Sequence, residues 1–113
     1  MKTKFLSITA AFAVIIFAQA QTPDTQNTTE ALAHNKGCYK CHGDDVKGRG
    51  PTFGEIAAKY KNDPGAKDAL FNVTKYGGRG NWALASHGTP MPPYSASLSD
   101  MQIRELIDWV LSL

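Results

Sequence analysis

The 113 residues carry twelve Lys and Arg against ten Asp and Glu, a formal charge of +2, with ten Gly, six Pro and two Cys. One small domain is the most such a chain builds, and two cysteines exclude a disulfide-dense scaffold. The charge is too small, and its carriers too scattered, to point to nucleic acid.

Lys2 and Lys4 precede an apolar run over 5–18, and Ala18-Gln19-Ala20 has the small-x-small form of a signal-peptidase site. Together these predict a secretory signal peptide over 1–20, cleaved after Ala20. The 14-residue run would span only ~21 Å as a helix, short of a ~30 Å hydrocarbon core. No stable membrane insertion is therefore expected. Residues 21–28 are polar, contain Pro23 and are expected to be a mobile segment. The folded domain is then 29–113. Removing Lys2 and Lys4 takes twelve basic residues to ten, which balances the ten acidic ones.

The rest of the chain carries helix signals and no period-2 strand signal. Asn27 and Glu30 have capping-box spacing and predict a helix running towards Lys36-Gly37. Thr52 and Glu55 repeat the pattern before Phe53, Ile56, Ala57 and Tyr60, and Asn62-Asp63 stops that helix. Asp63 with Pro64 opens the next one, Leu70, Val73 and Phe71 mark its apolar face, and Gly77-Gly78 closes it. Ser99 and Gln102 cap the last helix, with Leu98 stapled to Ile103. Ile103, Leu106, Ile107 and Val110 follow the helical period. The stretch 77–97 is a loop of about 20 residues, a length that a small domain keeps when the loop is functional.

Cys38-Tyr39-Lys40-Cys41-His42 is C-x-x-C-H, the attachment motif for c-type haem. Its spacing lets Cys38 and Cys41 form two thioethers along one haem edge and places His42 as an axial iron ligand. The same residues have three other uses. A thioredoxin-like redox pair needs a βαβ setting. A zinc site needs a second ligand pair. An incidental disulfide needs neither. The motif behind an export signal favours haem over all three.

For the sixth position the candidates are Met91, Met101, His34 and His87. Met91 sits in Pro90-Met91-Pro92-Pro93, where the prolines fix φ on both sides and stiffen a weak thioether ligand. His87 or an open iron are the alternatives. Met101 reads as core and His34 as exposed. The Pro51 carbonyl, nine residues past His42, would accept the imidazole Nδ1–H and fix its tautomer. Trp82 would either donate its indole N–H to a haem propionate or pack in the core. Arg79 and Arg49 are candidate propionate partners or solvated surface cations. Tyr94, three residues after Met91, would steer the thioether sulfur or simply pack.

On these residues the chain resembles the small bacterial class I c-type cytochromes of the cytochrome c-551/c-552 type. The resemblance runs from about residue 31 to 113. It is carried by Asn35-Lys36-Gly37-Cys38, Cys41-His42, Gly50-Pro51, Ile56-Ala57-Ala58-Lys59-Tyr60, Trp82, Pro90-Met91-Pro92-Pro93 and Asp108-Trp109-Val110-Leu111. It implies an all-α cytochrome c fold of four to five short helices wrapped around one covalently attached haem. It also implies axial His42 and Met91, Pro51 on the His side, Trp82 at a propionate, and first and last helices crossing at Trp109. Three departures stand out. Eight residues separate Trp82 from Met91, more than the family usually has. Tyr94 replaces the family's sulfur-bonding Asn. Ala33 stands where an aromatic often packs on the haem.

The expected function is a monomeric periplasmic one-electron carrier rather than an enzyme, with haem c as its cofactor. It would run between a donor such as a membrane quinol-oxidising complex and an acceptor such as a terminal oxidase, nitrite reductase or peroxidase. The alternative is a haem sensor or peroxidase-type domain with a labile sixth ligand. Residues 31–61 hold Lys36, Lys40, Lys47, Arg49, Lys59 and Lys61 against Asp44, Asp45 and Glu55, whereas the last helix is acidic at Asp100, Glu105 and Asp108. The basic end would then steer an acidic partner.

Overall fold

The structure is a computed structural model that describes residues 10, 11, 13, 14, 25–45, 49–82 and 88–113. Most of the expected leader, residues 21–24, and His87 lie outside the described residues. Among the described residues there are five helices: α1 Thr25–Asn35, α2 Tyr39–His42, α3 Phe53–Lys59, α4 Ala66–Tyr76 and α5 Asp100–Leu111. The one extended pairing among them is an isolated antiparallel bridge between Gly78 and Met91.

α5 is the hub, packed against α1, α3 and α4. Its apolar stripe of Ile103, Leu106, Ile107, Trp109 and Val110 is buried, and Ile103 is fully enclosed. The capping box is present as expected. Ser99 Oγ accepts from the Gln102 N–H at 3.2 Å, and Gln102 Oε1 accepts from the Ser99 N–H at 3.0 Å. Leu98 is buried in the same cluster as Ile103. Ser99→Ala removes one arm of this box and is expected to cost about 1 kcal/mol. Denaturant unfolding of the holoprotein, with a lower midpoint and an unchanged slope, checks it.

The start of α3 has the same device, with Thr52 and Glu55 bonded reciprocally at 2.7 and 3.1 Å. α1 begins at Thr25, two residues before the expected cap and inside the segment expected to be mobile. Residues 25–28 hold neither Gly nor Pro, so nothing in them stops the helix. The Glu30 carboxylate accepts from the Tyr39 hydroxyl at 3.1 Å. Asp63 opens the α4 region through a side-chain bond to the Gly65 N–H at 2.8 Å, and the helix proper starts at Ala66.

The end of α1 sets up everything that follows. Cys38 N–H donates to Ala33 O and Gly37 N–H to His34 O, both at 3.0 Å, and Gly37 takes φ 77°. This is the Schellman arrangement, which needs a left-handed residue that glycine adopts without strain. It turns the chain so that Cys38 starts the short helix α2.

Met101, expected in the core, is 70% exposed. It lies in the first turn of α5, off the 103/106/107/110 stripe. His34 is exposed as expected, with its ring stacked on Tyr39 at 3.8 Å.

Candidate functional site

One cavity of about 410 Å³ runs between α2 and the Met91 segment. Cys38, Cys41 and His42 line one side; Met91, Gly78, Arg79 and Trp82 line it as well. Ile56, Leu70, Leu106, Ile107 and Val110 make the cavity apolar. These last residues were read from sequence as core only. They serve both purposes, because the stripe that holds α5 in place also faces the cavity.

Cys38 and Cys41 are half-buried, one helical turn apart and not bonded to each other. Burial pushes the Cys38 thiol above its ordinary value, and the neighbouring Cys41 adds to the effect. Among the described residues no three His, Cys, Asp or Glu side chains are placed to share a metal ion.

His42 Nδ1 lies 2.6 Å from the Pro51 carbonyl oxygen. A carbonyl only accepts, so Nδ1 carries the proton and the imidazole lone pair belongs to Nε2, the tautomer an iron ligand requires. Gly50 fits closely beside this bond. A Cβ there would meet His42 Cε1 and the Cys41 carbonyl oxygen, each at 3.2 Å. The Phe53 ring packs near His42, centroids 5.4 Å apart. Phe53 in turn contacts Tyr39 and Trp109 edge-on, both at 5.1 Å. Trp109 is buried on α5, and α1 packs against the same helix. Gly50→Ala is expected to destabilise the holoprotein by about 1–3 kcal/mol, the range for overpacking. One of its contacts is backbone and cannot swing aside. An unchanged thermal midpoint would contradict this.

The Met91 side is held by backbone. Gly78 and Met91 exchange two N–H···O bonds, each 2.9 Å. Tyr94 N–H then donates to Thr74 O at 3.0 Å and Ser95 N–H to Lys75 O at 3.2 Å, so the segment uses the last carbonyls of α4 as its dock. The Tyr94 hydroxyl lies 3.4 Å from the Lys36 carbonyl oxygen. Gly77 approaches so closely that a Cβ would stand 2.8 Å from the Met91 carbonyl oxygen. The Gly-Gly pair read from sequence as a helix stop is thus also the seat of the Met91 segment.

Arg79 donates Nη2 to the Gly88 carbonyl at 3.0 Å while lining the cavity. Lys59 Nζ stands 5.0 Å above the Trp82 ring, a cation–π contact. Arg49 also lines the cavity and is exposed. The arrangement therefore offers a largely apolar cavity lined by two cysteine sulfurs, an imidazole nitrogen and a thioether sulfur. Each of these suits a covalently tethered haem.

Residues 27–113 match the family model described as cytochrome c. The chain belongs to the cytochrome c family. It is 41% identical over 85 residues to cytochrome c-551 of Azotobacter vinelandii, which covers 75% of this chain and 96% of that protein. It is 34% identical over 113 residues to cytochrome c-552 of Nitrosomonas europaea, covering 100% of this chain and 99% of that one. The crystal structure of wild-type cytochrome c552 from Nitrosomonas europaea superposes with a TM-score of 0.61 at 36% identity, covering 74% of this chain and 98% of that chain. As a cytochrome c the protein takes one covalently attached haem c, with two cysteines present at 38 and 41. Its class is the monohaem electron carrier, which works with redox partners. The expected all-α cytochrome c fold is the one observed. No helix among the described residues is long and apolar enough to cross a membrane.

Proposed function

We propose that this cytochrome is a periplasmic one-electron carrier of a respiratory chain, exported by residues 1–20, with His42 and Met91 as axial ligands. The observation that carries the reading is the pairing of two rigid donors on one cavity: His42 fixed by Pro51 and Met91 fixed by Gly78. Bound haem supplies a reversible Fe(III)/Fe(II) couple, whose potential His/Met ligation raises.

The chain's own residues do the remaining work. Cys38 and Cys41 tether the group at its edge. Pro51 holds the imidazole in one tautomer, so the ligand does not reorient when the charge changes. The proline-flanked Met91 offers its sulfur with little conformational freedom to lose. Leu70, Leu106, Ile107 and Val110 keep water from the slot, which lowers the dielectric around it and limits reorganisation. Trp82, and Arg79 beside it, are the residues placed to meet haem propionates. Lys36, Lys40, Lys47, Arg49, Lys59 and Lys61 outnumber Asp44, Asp45 and Glu55 over residues 31–61, and that excess of positive charge steers an acidic partner. The donor is of the membrane quinol-oxidising type and the acceptor a terminal oxidase, nitrite reductase or peroxidase.

The test is a haem-stained denaturing gel combined with the spectrum of the oxidised protein at neutral pH. Covalent haem with a sulfur-to-iron charge-transfer band is expected. Covalent haem without the band would remove Met91 from the iron.

A further inference from the structure

We propose that Tyr94 is a positioning residue that latches the Met91 segment to the thiol-bearing turn, giving its hydroxyl proton to the Lys36 carbonyl and not to the Met91 sulfur. The proposal builds on Met91 as axial ligand. The hydroxyl lies 3.4 Å from Lys36 O and joins positions 58 residues apart. Lys36 directly precedes Gly37, whose φ of 77° turns the chain into Cys38. Its carbonyl follows the end of α1, where helix carbonyls lack intrahelical donors.

Tyr94 has little freedom to aim elsewhere. Its N–H is bonded to Thr74 O at 3.0 Å, and its carbonyl accepts from Ser97 and Leu98 N–H at 3.0 and 2.9 Å. A phenol has one proton to donate, so the proton spent on Lys36 is withheld from the sulfur. The consequence is mechanical: the sulfur-bearing and thiol-bearing walls of the cavity, far apart in sequence, are joined by one side chain that also lines it.

Tyr94→Phe keeps the ring and removes the latch. In the oxidised holoprotein, imidazole should then displace Met91 with roughly two- to tenfold higher affinity, the worth of one net hydrogen bond. The sulfur-to-iron band should stay where it is. A shifted band would mean that the hydroxyl served the sulfur, and would overturn the proposal. Unchanged imidazole affinity would overturn it too, even if the unfolding midpoint fell, because a purely structural Tyr94 moves stability alone. In the reduced wild-type protein, nuclear Overhauser contacts from the Tyr94 ring to Lys36 or Gly37 are expected. Their absence overturns the latch independently of the iron ligand. A wild-type protein with those contacts but no sulfur-to-iron band would instead overturn the axial reading of Met91 and leave the latch standing.

Discussion

Met91→Ala in the holoprotein abolishes the sulfur-to-iron charge-transfer band, opens the iron to external ligands and lowers the reduction potential. The fall is on the order of a few tenths of a volt, within the roughly 0.8 V over which axial ligation sets haem potentials. The expectation follows from position. Among the described residues Met91 is the one methionine lining the cavity, and its backbone is bonded on both sides to Gly78. Met101 is 70% exposed in the first turn of α5 and is not a rival. Titration with imidazole and a potentiometric measurement check the variant. A spectrum that lacks the band in wild type and variant alike would move the ligand to His87, and a band that persists in the variant would move it to another methionine.

Gly77→Ala is the substitution expected to do most harm to the fold without touching a ligand. Gly77 takes φ 80° and ψ −179°, a region essentially reserved for glycine. The added Cβ would also lie 2.8 Å from Met91 O and 3.0 Å from Pro93 N, both backbone atoms. Strain and overpacking together amount to roughly 2–6 kcal/mol. The clash pushes on the Met91 segment, so the charge-transfer band should weaken at temperatures where wild type keeps it. Gly78→Ala is the control. It also has positive φ, 115°, but a Cβ there meets nothing within 4 Å. It should lose stability through strain alone and disturb the Met91 segment less. Thermal unfolding of both holoproteins, followed at the band and by far-UV dichroism, separates the two effects. Equal losses would mean that close packing of Gly77 against Met91 contributes nothing.

Features written in short stretches were legible from the chain. The Thr52/Glu55 and Ser99/Gln102 capping boxes involve residues three apart, and the stripe on α5 repeats within one helix. The His42 to Pro51 bond was also foreseeable, because the motif fixes what the imidazole needs. Contacts set by tertiary approach were not legible. Nothing local tells that Gly77 seats a segment 14 residues on, or that Gly50 fits against His42. Phe53 reads as one apolar residue of a helix start, yet it joins His42, Tyr39 and Trp109 into one aromatic cluster. Tyr94 left two readings open, steering the sulfur or packing. The structure gives its hydroxyl a third use, on a carbonyl 58 residues away. Met101 could have been placed correctly from the stripe itself, since position 101 falls outside it.

With His42 and Met91 filling both axial positions, the protein is a carrier and not a ligand-binding haem protein. Carbon monoxide titration of the reduced wild-type holoprotein at neutral pH is the test. With Met91 held by Gly78 and the Tyr94 latch, no spectral change is predicted at millimolar carbon monoxide. Stoichiometric binding would contradict the account and assign the protein to the haem sensors or peroxidases.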